Sequence, residues 1–223
     1  LDTMENITPR VQKLILSALA VAFAVGLIAA ADWNRYQGVD QAPGRISVEG
    51  TSTLHDWTLE TSAIEGFAHI DPSVPADAAL AKAQVKPGKV AAQAGVTIPT
   101  ASLRSIRNGK PFSSQMDRQA HAKLKAQAYP TITFKLSEAT LDAIPESNDK
   151  PFKFTARGRL TIAGVTRSVT LPLDILLLEN GRVKVSGAVA LKMTDFQIAP
   201  PDLMLVKAGD AVTIRFSWQV KRA

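Results

Sequence analysis

The chain has 223 residues, of which 46% are hydrophobic and 21% charged, and this balance excludes both a disordered chain and one fully embedded in a membrane. It contains no cysteine, which excludes disulfides, thiolate metal sites and thiol nucleophiles. The net charge of +6 comes from lysines and arginines that are interspersed with polar residues, so we interpret them as a solvated face and expect no nucleic-acid partner.

The first predicted element is an apolar run at residues 14–31, which follows Arg10 and Lys13 and ends in three alanines. A basic start, an apolar stretch and small residues at its end are typical of an export signal that is cleaved. The run is also just long enough for a membrane-spanning helix, so a retained anchor stays open as the alternative. We predict a signal peptide at residues 1–31, favour its cleavage, and expect the protein in the periplasm.

Residues 32–43 show no periodic pattern and are predicted to be a polar linker, which leaves one domain at residues 44–223. The first half of this domain has an irregular β pattern with an alanine-rich insertion at residues 72–87, where a short helix is expected near residues 76–83. The strand candidates in this half are residues 45–51, 57–61, 64–70 and 89–98.

One longer helix is predicted at residues 114–129. Ser114 and Asp117 have the Ser-x-x-acid spacing of a capping box, and Pro130 prevents the helix from continuing. Residues at a spacing of four give the helix one apolar stripe. The stripe consists of Met116, Ala120 and Leu124.

Five later segments alternate apolar and polar residues with a period of two, which predicts strands with one buried and one wet face. Ala163-Gly164 and Asn180-Gly181 separate neighbouring segments, as tight hairpin turns do. Strands joined by such short turns pair antiparallel. The fold class is therefore all-β: an antiparallel barrel of about eight strands with one short helix at its opening. The five segments are residues 131–136, 152–162, 168–177, 183–193 and 212–220.

The interior of a barrel of this size holds either packed side chains or one small ligand. Gly158 and Gly187 fall on the inward phase of their strands, where a glycine either leaves space or marks a coil in the strand. The pattern alone leaves both a hollow barrel and a filled one open. Candidate ligand-binding residues lie on inward strand positions, on the apolar helix face or near the mouth. They are Trp57, Met116, Leu124, Tyr129, Phe134, Phe154, Leu171, Val189, Phe196, Ile214, Phe216 and His55.

The polar residues show no motif for catalysis or metal binding. The three histidines, His55, His69 and His121, lack metal-ligand spacing, and no Gly-x-Ser-x-Gly element is present. We therefore expect no enzyme, no catalytic residue and no metal. A hydrolase that uses His55 and Asp56 stays open as an alternative. In the simplest interpretation, Trp57 closes one end of the barrel and His55 bonds to the backbone of its own turn.

Four stretches of the chain resemble the YceI family of exported lipid-binding proteins. Residues 50–57 carry Gly-Thr-Ser-Thr-Leu-His-Asp-Trp, and residues 124–134 end in Tyr-Pro-Thr-Ile-Thr-Phe. Residues 158–167 read Gly-Arg-Leu-Thr-Ile-Ala-Gly-Val-Thr-Arg, close to a family pattern. Residues 193–196, Met-Thr-Asp-Phe, precede two prolines. The helix departs from the best-known branch of the family, because residues 116–121 read Met-Asp-Arg-Gln-Ala-His.

The resemblance implies a lipocalin-like barrel that carries a long apolar isoprenoid, either a polyprenyl chain or a quinone-like lipid, in its interior. It brings no catalytic residue and no cofactor besides the lipid. A polar head of the ligand is expected near His55 or Tyr129. A transient contact with a membrane and a homodimer stay open, as does the alternative of a periplasmic interaction module with a filled core.

Overall fold

The computed structural model describes residues 33–39, 44–72, 74–75, 77–203 and 206–223. The predicted signal peptide or anchor at residues 1–31 lies outside these residues. Within the described part of the chain, no helix is both long and apolar enough to cross a bilayer.

The described residues form fourteen strands, two α-helices and three short 3-10 turns. The strands are β1 Asn34–Gly38, β2 Arg45–Ser52, β3 Trp57–Thr61, β4 Glu65–Ile70, β5 Gly88–Val90, β6 Ala92–Pro99, β7 Arg104–Arg107, β8 Lys110–Pro111, β9 Thr131–Ala143, β10 Phe152–Ile162, β11 Val165–Leu177, β12 Arg182–Lys192, β13 Asp202–Leu203 and β14 Val206–Arg222. The helices are α1 Ala78–Gln84 and α2 Ser114–Lys123, and the 3-10 turns are Thr100–Ser102, Glu179–Gly181 and Met193–Phe196.

Eight strands close into a barrel in the order β1-β4-β6-β9-β10-β11-β12-β14, and the pairing of β14 with β1 completes the ring. All of these pairings are antiparallel. The predicted lipocalin-like antiparallel barrel of about eight strands is thus confirmed. Strand β14 is long enough to pair with two strands on the same side: its last residues, 220–222, pair with β1, and the preceding residues 208–217 pair with β2. The sheet then continues through β3, β7 and β8 at one end of the barrel.

The consecutive strands from β9 to β12 form the meander that the alternating pattern predicts. The turn residues Ala163 and Gly164 have φ angles of 50° and 82°. Asn180 and Gly181 have φ angles of 59° and 66°. Two successive positive φ angles give the turn a twist that matches that of the flanking strands, so both predicted hairpin turns are confirmed.

The prediction of a linker at residues 32–43 is wrong for Asn34–Gly38, which form β1 and close the barrel. Asn34 and Tyr36 are buried in this strand, whereas Arg35 and Gln37 are exposed. Buried and exposed residues do alternate in this strand, but apolar and polar residues do not, because the buried position 34 holds asparagine. The amide of Asn34 is satisfied because Nδ2 donates to the carbonyl of Val74 at 3.3 Å.

The short helix expected near residues 76–83 of the alanine-rich insertion is present as α1. In α2 the cap is Ser113, whose hydroxyl accepts from the N–H of Met116 at 3.3 Å, so the predicted capping box is one residue out of place. The helix ends at Lys123 rather than near residue 129. Its end lies earlier than Pro130 requires because Lys125 takes a φ of 52°, outside the helical region.

The two ends of the barrel differ. At one end α1 packs across the opening, with Ala81, Leu141 and Phe152 forming a buried apolar cluster; we call this the closed end. At the other end the sheet path stops at β8, and no pairing among the described strands joins β7 to β9. Helix α2 follows β8 in the chain and packs on β7; we call this end the mouth.

Candidate functional site

The barrel encloses a cavity of about 810 Å³ that extends from the mouth to the closed end. Its wall is built from the inward side chains of the ring strands, which are almost all aliphatic or aromatic. The volume falls in the range of about 300–1,000 Å³ that is usual for small-molecule pockets. The interior is therefore hollow, which decides a question that the alternating pattern left open.

Eleven of the twelve predicted ligand-binding residues line this cavity. They are His55, Trp57, Met116, Leu124, Phe134, Phe154, Leu171, Val189, Phe196, Ile214 and Phe216. The apolar stripe of α2 also faces the cavity, because Ala120 lines it together with Met116 and Leu124.

Tyr129 is the exception, because it does not line the cavity. Its ring packs against Gly164 in the β10–β11 turn, and 42% of the residue is exposed. The turns that follow α2 carry the chain past the mouth before β9 begins, so Tyr129 lies outside the barrel. Its backbone carbonyl accepts a hydrogen bond from the hydroxyl of Thr100 at 3.0 Å.

Of the two alternatives for the inward glycines, open space is not what the structure shows, because aromatic rings lie against both Gly158 and Gly187. The register between β9 and β10 shifts between Arg157 and Gly158, so this glycine does mark an irregularity of its strand. A Cβ atom on Gly158 would collide with the ring of Phe134. A Cβ atom on Gly187 would collide with the carbonyl oxygen of Pro172 and would lie 2.8 Å from the ring of Phe216. These rings therefore lie along the wall, against the backbone of a neighbouring strand.

Several residues line the cavity without having been predicted to do so. Some of them, such as Leu136 and Val185, lie on strands whose inward phase the alternating pattern already indicates. Tyr36 on β1 and Ala81 and Val85 of the insertion gave no periodic signal. Burial raises the pKa of the Tyr36 phenol above its ordinary value, although the charge of Arg222 acts in the opposite direction.

Polar lining side chains collect at the mouth, whereas Gln93 on β6 is a polar lining residue away from it. The mouth group consists of Ser52, His55, Ser113, Gln115, Gln119, Lys123 and Lys192. The cavity thus combines a long apolar interior with hydrogen-bonding groups at one end, as small-molecule sites usually do.

His55 lies at the mouth and contacts its own turn. Its Nδ1 is 2.8 Å from the carbonyl oxygen of Asp56, and because a carbonyl only accepts, Nδ1 carries the proton in this contact. The ring meets Phe112 edge to face at a centroid distance of 6.1 Å. Trp57 donates from Nε1 to the carbonyl of Thr51 at 3.1 Å. Both residues therefore bond to the turn backbone and line the cavity at the same time.

Two residues one turn apart fix α2 to the barrel. Asp117 Oδ1 accepts from the backbone N–H of Ser105 at 2.6 Å, and Ser105 is 1% exposed. The ring Nε2 of His121 lies 2.8 Å from the carbonyl oxygen of Leu103. Both bonds attach the helix to the segment before it.

A smaller cavity of about 270 Å³ adjoins the mouth and shares His55, Trp57, Phe112 and Met116 with the larger one. Its other walls are mostly polar and include Asp56, Thr58, Arg107 and Asn108. The guanidinium of Arg107 stacks 4.4 Å above the centre of the Phe112 ring.

The hydroxyl beside His55 bonds to the backbone and not to the imidazole ring. The hydroxyl of Ser52 donates to the backbone carbonyl of His55 at 2.6 Å and accepts from its N–H at 3.2 Å. A nucleophile would instead need a hydrogen bond to the imidazole ring. In the described residues, no three histidine, aspartate or glutamate side chains come close enough together to hold a metal ion.

A sequence model of the YceI-like domain matches residues 37–220. Among curated protein sequences, none matches the chain. The structure of BcnA from Burkholderia cenocepacia has 21% sequence identity and a TM-score of 0.57, over 79% of this chain and 95% of that chain. A polyisoprenoid binding domain from Saccharophagus degradans, implicated in plant cell wall breakdown, has 12% identity and a TM-score of 0.56, over 84% and 98% of the two chains.

Proposed function

The chain belongs to the YceI-like domain family, and from this premise we propose that it binds and carries one long isoprenoid-type lipid, a polyprenyl chain or a quinone-like lipid, without catalysing a reaction. The observation that supports this most directly is the hollow apolar interior of about 810 Å³ with polar groups gathered at its mouth. The Saccharophagus degradans domain, which has the same fold, is described as polyisoprenoid binding.

The dimensions of the barrel suit a long, thin ligand. Strand β10 has 11 residues, which corresponds to about 36 Å at ~3.3 Å per residue. A strand tilt of ~40° reduces this to roughly 28 Å along the barrel axis. Each 100 Å² of apolar ligand surface that leaves water contributes about 2.5 kcal/mol, so an isoprenoid chain needs no strong polar contact in order to bind.

We place the polar head of the ligand at the mouth, beside His55. Because Nδ1 of His55 donates to the turn backbone, Nε2 of the neutral ring is left as an acceptor for a hydroxyl group. A head with carbonyl oxygens finds donors in Gln115, Gln119 and Arg107 at the same end. The smaller cavity gives such a head a polar space next to the apolar one.

Native mass spectrometry of protein purified from its own host, followed by lipid extraction, tests the proposal. We expect an isoprenoid or quinone-like lipid in a near-stoichiometric amount. Protein that emerges empty and takes up neither a polyprenol nor a quinone from detergent would contradict it.

Two alternatives have less support. An interaction module with a filled core does not agree with the cavity. A hydrolase would need a nucleophile that is hydrogen-bonded to the His55 ring. Instead, the hydroxyl of Ser52 bonds to the backbone of His55, and Nδ1 of the ring bonds to the backbone carbonyl of Asp56. If His55→Ala abolished turnover of an ester substrate while fold and lipid content stayed normal, the result would establish the hydrolase.

We also propose that the protein works in the periplasm, on the basis of the apolar run at residues 14–31. Cell fractionation with N-terminal sequencing tests this proposal. A mature N-terminus near Asp32 in the periplasmic fraction supports it, and a protein found in the cytoplasm with its N-terminus intact would overturn it.

A further inference from the structure

Two apolar side chains at the mouth are exposed to solvent. Leu54, at the tip of the β2–β3 turn, is 70% exposed, and Phe112, between β8 and α2, is 42% exposed. They belong to one region, because His55, the neighbour of Leu54, contacts the ring of Phe112. Both cavities open beside them.

The segment that surrounds this apolar pair is strongly basic. Residues 104–125 contain six lysines and arginines but one acidic residue, Asp117. Arg104 lies 3.9 Å from Asp117. In the described part of the chain, none of the other five has a carboxylate within 4.0 Å. These five are Arg107, Lys110, Arg118, Lys123 and Lys125. We interpreted the basic residues of the chain as a solvated face without clusters, but this segment is a cluster.

The turns that share this end with the basic segment do not cancel its charge. Residues 50–58 and 192–210 together hold two lysines and four aspartates. Two of these aspartates are already engaged, because Asp210 accepts from the hydroxyl of Thr194 at 2.7 Å and Asp202 lies 3.5 Å from Lys207. The mouth thus keeps a net positive charge next to exposed Leu54 and Phe112.

We propose that the mouth docks on an anionic lipid bilayer, with Leu54 and Phe112 among the headgroups and the cations of residues 104–125 facing the anionic lipids. Exposed apolar side chains beside lysine and arginine are the combination that binds at a bilayer interface. A second copy of the chain is a poor partner for this surface, because its mouth carries the same positive charge. A nucleic acid would use the cations but would leave the apolar pair without a partner.

The purpose of this docking rests on the proposed function, because a carrier whose mouth meets the bilayer can exchange an apolar chain without exposing it to water. The docking itself is measured separately from cargo. The probes are vesicles of phosphatidylcholine alone and of an equimolar mixture of phosphatidylcholine and phosphatidylglycerol, in a co-sedimentation experiment with the full chain.

The test variants are Lys110→Glu with Arg118→Glu, and separately Leu54→Ser, none of which changes a residue that lines either cavity. Matched controls lie away from the mouth: Lys86→Glu with Lys150→Glu, and Leu80→Ser on α1, where Leu80 is 52% exposed. Because all variants share the same N-terminus, differences between them report on the mouth.

We expect the protein to bind the mixed vesicles, to release them as salt rises, and to bind phosphatidylcholine vesicles weakly. The double charge reversal at the mouth should lower partitioning at least about tenfold, Leu54→Ser should lower it about threefold or more, and the controls should stay within about twofold of the parent.

Equal losses in test and control variants, or no binding to mixed vesicles, would overturn the proposal. Duplex DNA that competes fully with the vesicles would overturn it in favour of a nucleic-acid surface. Normal lipid content with no docking leaves the carrier function standing, whereas docking by an empty protein contradicts the carrier function alone.

Discussion

Single residues decide whether the barrel is hollow, because aromatic rings lie on glycines of neighbouring strands. Phe216 lies directly opposite Gly187 in the β12–β14 register, whereas Phe134 reaches diagonally to Gly158, which pairs with Leu136. A ring that covers backbone does not project toward the barrel axis. The sequence shows which residues point inward, but the direction of each ring depends on the neighbour that the register places beside it.

Tyr36 gives a prediction in alkaline solution. The unfolded phenol ionises near pH 10.0, whereas burial raises the pKa of the folded one. The stability that this shift contributes is complete below the unfolded pKa and is lost as pH rises through the folded pKa. We expect Tyr36→Phe to lose less stability than the parent between about pH 9 and pH 11. Thermal unfolding at a series of pH values checks this, and parallel curves for the two proteins would contradict it.

At the scale of elements, prediction from sequence succeeds where one strand face is apolar and fails where polar residues are buried. The meander from β9 to β12 follows from its alternation and its two glycine turns. Strand β1 does not, because it buries Asn34 and Tyr36 and has a small share of apolar residues. For the same reason Tyr36 was not predicted to line the cavity, whereas Phe154 and Ile214 line it as their inward phase predicts.

One of the bonds that attach helix α2 is the buried hydrogen bond between Asp117 and the backbone of Ser105. Asp117→Ala should lower the free energy of unfolding by about 1.5–3 kcal/mol, because it leaves the buried N–H of Ser105 without its charged acceptor. Asp174→Ala is the matched control, since Asp174 forms an exposed ion pair with Lys153, and we expect a loss below about 1 kcal/mol. Urea unfolding measures both variants, and equal losses would show that the Asp117 contact does not fix the helix.

Two leucines of β9, one near the closed end and one in the middle of the strand, should respond differently to truncation to alanine. Leu141→Ala opens a cavity in the packed cluster with Ala81 and Phe152 and should cost about 2–5 kcal/mol. Leu136→Ala on the same strand enlarges a cavity that already exists, and we expect a loss of about 1–2 kcal/mol. Chemical unfolding curves of the two variants compare these costs directly. A larger loss at Leu136 would mean that the middle of the barrel is packed.

For the whole molecule, the hollow interior predicts that added volume is tolerated in the middle of the barrel and rejected near the closed end. Val189→Phe fills part of the cavity, so it should change the free energy of unfolding by less than about 1.5 kcal/mol while it excludes the lipid. Val183→Phe, on the same strand, inserts the ring where Val183 is 4% exposed and should cost about 1–3 kcal/mol or more. Unfolding curves and extracted lipid test the pair together.

Normal lipid content in Val189→Phe would show that the ligand does not occupy the middle of the barrel. Gly187 is unsuitable for this experiment, because any side chain there meets the carbonyl oxygen of Pro172 before it reaches the interior.

The packing of α1 across one end gives the barrel a bottom. For a ligand that enters with its apolar tail first, the closed end limits the length of tail that the cavity can hold. A shorter tail would leave the closed end empty, and a longer tail would keep the polar head outside the mouth. The stored portion is shielded from water, whereas the head stays within reach of whatever meets the rim. Under the proposed function, and with the closed end covered by α1, the ligand would enter and leave through the mouth, so that the last carbon to enter is the first to leave.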